Sequence, residues 1–376
     1  MNFPARWIAT LMWLAWVAVL PAEDSSHTTD SNRTAIALEA LSRLKGMDLE
    51  ANPGVKKAVL KVLDQTRGTP QFVEIVRDFN LQDQDEALLE IAGNNPTSSA
   101  GVEAVRLVLN RSDNERLKQF LVGTNAINLV EAMGNTREKA IVPLLLPLVT
   151  DATRDLAVRK QAVRSLAQMQ SGAAALLKLA GEQKLPADLK LTASTALNSV
   201  RWENLKAQAA QLLPPLQGRE AQPLPPVSEL VKLEGDSLKG AALFRSEAVG
   251  CIKCHQVNSE GIDFGPNLSE IGTKLGKEAL YESILDPSAG ISFGFEAWQI
   301  TLKNDDEAFG LVVSETADEL AIKSSGGIVT RYKKSDIASR VQQKLSIMPA
   351  GLQQGMSQQD FVDLVEYLSS LKKAAP

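Results

Sequence analysis

Both cysteines of this 376-residue chain fall in one run of five residues, Cys251-Ile252-Lys253-Cys254-His255. With the thiols committed to that run there is no disulfide framework, so each domain must rest on its apolar core. A content of 44% hydrophobic and 23% charged residues is ordinary globular material, long enough for two domains. Proline marks the division. From Pro214-Pro215 to Val227 the sequence is too proline-dense for a helix and suits a semi-rigid extended spacer. The chain is therefore expected to divide into a helical region over 23–216, a linker over 217–235 and a second domain over 236–372.

The C-x-x-C-H run carries the most specific chemistry. Two thiols at this spacing can each add to a haem vinyl group, and the next residue sets an imidazole against the iron. A structural zinc site needs about four ligands. The only other histidine is His27, in the Ser/Thr/Asp-rich stretch 25–31. A redox dithiol is expected at a helix N-terminus in a βαβ setting, whereas this run follows a helical stretch and precedes a Gly/Pro loop. The expected cofactor is one covalent haem c, held by Cys251 and Cys254 with His255 on the iron.

Arg6 is the sole charge before an apolar run from Trp7 to Leu20, and Leu20-Pro21-Ala22 precedes Glu23-Asp24. This pattern predicts a secretory signal over 1–22, cleaved near Ala22, and a periplasmic or otherwise exported product. The run falls short of the roughly 20 residues that a spanning helix wants, so no integral membrane span is expected after cleavage. Haem c is joined to protein outside the inner bacterial membrane, so export and C-x-x-C-H support each other. Residues 236–372 carry 13 Lys/Arg against 19 Asp/Glu, and residues 23–235 carry 25 against 26. Neither region offers the basic face that nucleic acid requires. An acidic second domain suits docking to a redox partner with a basic patch.

Between the signal and Leu216 the pattern is helical. Ile141, Leu144, Leu145 and Val149 share one face, Thr150-Asp151 breaks the run, and Ala162, Val163, Leu166 and Met169 resume it. A shift of 31 residues superimposes Leu145 on Leu176, Ala162 on Ala193, Leu166 on Leu197 and Met169 on Val200. Such self-similarity is expected of an α-solenoid; the alternative is a non-repetitive bundle. The stretch 141–169, with Asp151 and Val158-Arg159, resembles a HEAT repeat. A solenoid's usual use is to hold a protein partner.

In the second domain, Gly235-Asp236 leads into a helix with Gly240, Leu243 and Phe244. Ser357 can cap a last helix striped by Phe361, Leu364, Val365, Leu368 and Leu371. Residues 236–371 resemble a class I cytochrome c domain, in which the first and last helices cross beside the haem. The resemblance implies that Gly240 permits the crossing while Phe244 and Tyr367 pack on it. It also implies that Pro266, in Gly265-Pro266-Asn267-Leu268, accepts the hydrogen bond of the axial imidazole.

No histidine remains for the sixth position, and Met348, followed by Pro349, is the expected second axial ligand. A thioether binds iron in either oxidation state and raises the potential into an electron carrier's range. Met356 is the competitor, although it adjoins the start of the last helix; Met47, Met133 and Met169 read as core filler.

Short β-like runs at 297–303, 308–314, 319–323 and 328–332 predict a small antiparallel sheet inserted at about 295–337. This layout, with Asp286-Pro287-Ser288 before it and Met348-Pro349 after it, resembles the planctomycete-type haem-binding domain. In that family the domain often ends large secreted proteins, after a propeller and HEAT repeats. No propeller is present here, so the resemblance carries no dehydrogenase activity to this chain.

The expected fold is mainly α: a HEAT-like solenoid and a cytochrome c-like domain with an inserted sheet. The expected function is an exported one-electron carrier that meets a redox partner protein through its repeats or its haem edge. A peroxidase-like haem enzyme and a haem-based redox-sensing scaffold are the alternatives.

Overall fold

Asn52 and Thr69 each precede a proline in the first turn of a helix, where the missing N–H is not needed. Sequence signals of this kind organise most of the chain. The computed structural model describes residues 25–111, 115–214, 224–246 and 249–373. The expected signal (1–22) and much of the proline-rich spacer (215–223) lie outside the described residues. Among the described residues no helix is long and apolar enough to cross a membrane. The chain is mainly helical with a small antiparallel sheet.

Contacts group the chain into two units, 1–66 and 67–376. The first holds α1 (Ser25–Ser42) and α2 (Pro53–Gln65), the latter burying Val59, Val62 and Leu63. The second opens with a run of short helices. These are α3 (Pro70–Asp78), α4 (Asp85–Asn94), α5 (Ser99–Leu109), α6 (Glu115–Phe120), α7 (Ala126–Thr136), α8 (Val142–Thr150), α9 (Leu156–Leu166), α10 (Gln170–Gly181), α11 (Lys190–Asn198) and α12 (Glu203–Leu212).

The 31-residue offset carries α8 onto α10 and α9 onto α11. Each pair it superimposes, Leu145/Leu176, Ala162/Ala193, Leu166/Leu197 and Met169/Val200, is buried at both positions. Buried Arg159 crosses from one helix pair to the next, donating from Nη1 to Asp188 at 2.7 Å.

The rest of the second unit contains α13 (Val227–Leu230), α14 (Ser237–Arg245), α15 (Ile271–Lys274), α16 (Lys277–Leu285) and α17 (Gln358–Ser370). Asp236 caps α14 through the N–H groups of Leu238 and Lys239, and Ser357 and Asp360 form a capping box on α17. These two helices cross closely. A Cβ on Gly240 would lie 2.0 Å from the Asp363 carbonyl oxygen and 2.7 Å from Tyr367 Cβ, so only glycine fits. Beside the crossing the rings of Phe244 and Tyr367 stand 5.7 Å apart, and Tyr281 meets Phe361 edge-on at 5.1 Å. Buried Asp363 is satisfied by the Asp236 N–H at 2.9 Å and by Gln359 Nε2 at 2.8 Å.

A hairpin of β1 (Gln256–Val257) and β2 (Glu260–Gly261) precedes the main sheet. That sheet comprises β3 (Ala297–Leu302), β4 (Glu307–Glu315), β5 (Glu319–Ser324), β6 (Ile328–Lys333) and β7 (Ile337–Gln342), in the order β6-β5-β4-β3-β7 with antiparallel neighbours. Strands β3 to β6 fall on the four expected runs. Strand β7, which returns to pair with β3, was not expected. Five of its six residues are exposed, so it lacks the alternation that betrays a half-buried strand.

The sheet packs on the helices through polar contacts. Ser99 Oγ, at the start of α5, accepts the Val329 N–H at 2.9 Å. Arg106 donates from Nε to Glu138 at 2.7 Å and from Nη2 to the Tyr332 hydroxyl at 3.2 Å, with its guanidinium 4.8 Å from the centre of the Tyr332 ring. The Lys139 N–H reaches buried Asp306 at 2.8 Å. Arg201 pairs with Glu307 at 2.9 Å and lies 4.5 Å from the Phe309 ring centre.

Candidate functional site

Gly250, with φ of +72°, turns the chain out of the segment after α14 into a single 3-10 turn, Cys251–Lys253. The Cys254 and His255 N–H groups both return to the Cys251 carbonyl, at 3.1 and 2.9 Å, so the motif is a compact knot. Both cysteines are half-buried and form no disulfide. Burial pushes the Cys251 thiol up to about 11, and burial also raises Cys254 against the pull of Lys253. A redox dithiol works through a lowered thiol pKa, and burial here acts in the opposite direction. Among the described residues no three His, Cys, Asp or Glu side chains converge as metal ligands, and the two cysteines gain no such partners for a zinc site.

His255 is oriented from two sides. Its Nδ1 lies 2.7 Å from the carbonyl oxygen of Pro266, an atom that can only accept, so Nδ1 carries the proton and Nε2 keeps its lone pair. Behind the ring is Gly265, where a Cβ would come within 2.7 Å of His255 Cε1; no larger residue leaves room for the imidazole. Burial lowers the histidine's pKa while the Pro266 carbonyl works in the opposite direction. Segment 262–268 is laced back along the motif. The Ile262 N–H bonds to the Ile252 carbonyl at 3.0 Å, Phe264 to Cys254 at 3.1 Å, and Leu268 to Gln256 at 2.8 Å.

These features are compatible with a covalent haem. Two thiols three positions apart, an imidazole whose Nδ1 is tied to Pro266 so that Nε2 keeps its lone pair, and a glycine where a Cβ would meet the ring are compatible with such a group. Met348 sits on the loop after β7, half-buried against the apolar cluster that includes Phe244, Phe361 and Val365, and Cys251, Ile252 and Leu268 pack on the same cluster. The Met348 N–H bonds to Ser346 Oγ at 3.2 Å, and Ser346 is tied through its own N–H to Ser288 Oγ at 3.1 Å. Met356, directly before the α17 cap, packs on that cluster as well, so the fold gathers both candidate thioethers.

Sequence reasoning missed the contacts that brace this region from the sheet. Lys323 of β5 pairs with Asp263 at 2.6 Å, three residues before Pro266. Nothing in the sequence marks Lys323, because a lysine on a strand reads as a solvated side chain until its partner is known. No family model matches the chain, and no curated protein matches it.

Proposed function

We propose that the chain is an exported c-type cytochrome that carries single electrons on one haem c joined to Cys251 and Cys254, with His255 and Met348 as axial ligands. The observation that carries this reading is the 2.7 Å contact from His255 Nδ1 to the Pro266 carbonyl, made by an imidazole at the end of a C-x-x-C-H turn. When bound, the haem iron supplies reversible one-electron chemistry.

The chain's own residues do the rest. Pro266 fixes the histidine tautomer and makes the imidazole a stronger donor, Gly265 leaves room for its ring, and the half-buried thiols stay neutral until used for attachment. The close crossing of α14 and α17 at Gly240, with Phe244 and Tyr367 beside it, supports the likeness to a class I cytochrome c domain. The buried 31-residue register supports a HEAT-like array in the helical region. In this reading the array meets a redox partner protein on surface that the sheet leaves uncovered.

Electronic spectra of the full-length exported protein test the reading. A low-spin spectrum with a methionine-to-ferric-iron charge-transfer band is expected. A haem that takes carbon monoxide or peroxide without unfolding would favour a peroxidase-like enzyme instead.

A further inference from the structure

The five-stranded sheet touches two parts of the second unit at once. On one side it is fastened to the helices, by Arg106 to Tyr332 and by Lys139 to Asp306. On the other, the turn between β5 and β6 lies against the strap that holds the axial histidine. A Cβ built on Gly327 would come within 3.1 Å of Ile262 Cγ2, and Lys323 Nζ stands 2.6 Å from Asp263 Oδ2.

From Asp263 the strap runs only three residues to Pro266. It has little slack, because the Phe264 and Gly265 N–H groups both bond to the Cys254 carbonyl. The lysine side chain is 18% exposed and the aspartate 66%. A pair this open contributes little to overall stability. Its effect is on position, because it ties a strand paired on both sides to a strap that ends on the histidine's hydrogen-bond acceptor.

We infer that Lys323, with the Gly326-Gly327 turn, is a positioning element that sets the His255–Pro266 contact from the sheet, so that the sheet serves as a strut between the helices and the histidine strap. The inference rests on the reading of His255 as an iron ligand.

The signs of two substitutions separate position from charge. Losing the cation in Lys323→Gln lowers the midpoint potential if charge alone acts, since a more negative site favours the ferric state. Losing the carboxylate in Asp263→Asn raises it on the same ground. If the pair instead holds the strap, either substitution slackens the Pro266 contact, the imidazole becomes a weaker donor, and both potentials rise.

The expected result is a rise for both single variants, no further rise in the double variant, and return towards the wild-type potential in Lys323→Arg. Hydrogen exchange of the Phe264 and Gly265 amides should quicken in step. A fall in potential for Lys323→Gln, or unchanged exchange at these amides, overturns the inference. Absence of covalent haem from the wild-type protein would defeat the cytochrome reading alone, because amide exchange still reports whether the strut holds the strap.

Discussion

At the scale of single residues, the site is governed by what each atom has left to bond. Tying Nδ1 of His255 to Pro266 leaves Nε2 as the ring nitrogen with a lone pair for a metal. Two methionines adjoin the same cluster, and substitution tells them apart. Met348→Ala is expected to give a high-spin haem open to added ligands with a lowered potential, whereas Met356→Ala leaves the visible spectrum unchanged; the reverse outcome reassigns the axial ligand. Gly240→Ala tests the helix crossing. Its new methyl would stand 2.0 Å from a backbone oxygen, so the helices must part. Loss of roughly 1–3 kcal/mol in chemical denaturation is expected, the usual cost of overpacking.

At the scale of elements, caps and periodicity were legible in advance. Ser357 was expected to cap α17 and does so, and the four β-like runs became β3 to β6. The contact of His255 with Pro266, which the resemblance implies, is present in the fold, because two groups eleven residues apart on one strap meet through local geometry. Strand β7 was hidden, since its mostly exposed face leaves no pattern and only pairing with β3 makes it a strand.

The cap of α14 has a pH signature. Hydrogen bonds from the Lys239 and Leu238 N–H groups hold the Asp236 carboxyl below its ordinary range. A depressed carboxyl contributes stability above its unfolded pKa and loses it as pH falls through the folded one. Asp236→Asn, which keeps the cap but cannot ionise, is expected to flatten that part of the acid limb of a stability-against-pH curve. An acid limb identical to wild type would show that the cap carboxylate makes no such contribution.

At the scale of the whole molecule, the polar seam between the helices and the sheet is what the sequence concealed. Arg106 and Tyr332 are 226 residues apart, and an arginine on a helix reads as a solvated face until its partner is known. Arg106 and Glu138 have side chains only 10% and 12% exposed. Arg106→Ala would strand Glu138 and the Tyr332 hydroxyl. The expected loss is roughly 3–5 kcal/mol, as when one partner of a buried pair is removed, against about 0.5–1.5 kcal/mol for Tyr332→Phe. Because the seam joins α5 and the segment after α7 to β4 and β6, probes placed in the helices and in the sheet should report one shared unfolding transition.

On the proposed function, a haem is covalently joined to the chain at Cys251 and Cys254. Intact mass and thiol titration of the denatured, purified exported protein test it most directly. The expected result is a mass larger than the polypeptide by one haem, a chromophore that stays with the chain in denaturant, and no titratable thiol. A colourless chain of polypeptide mass with two free thiols would contradict it.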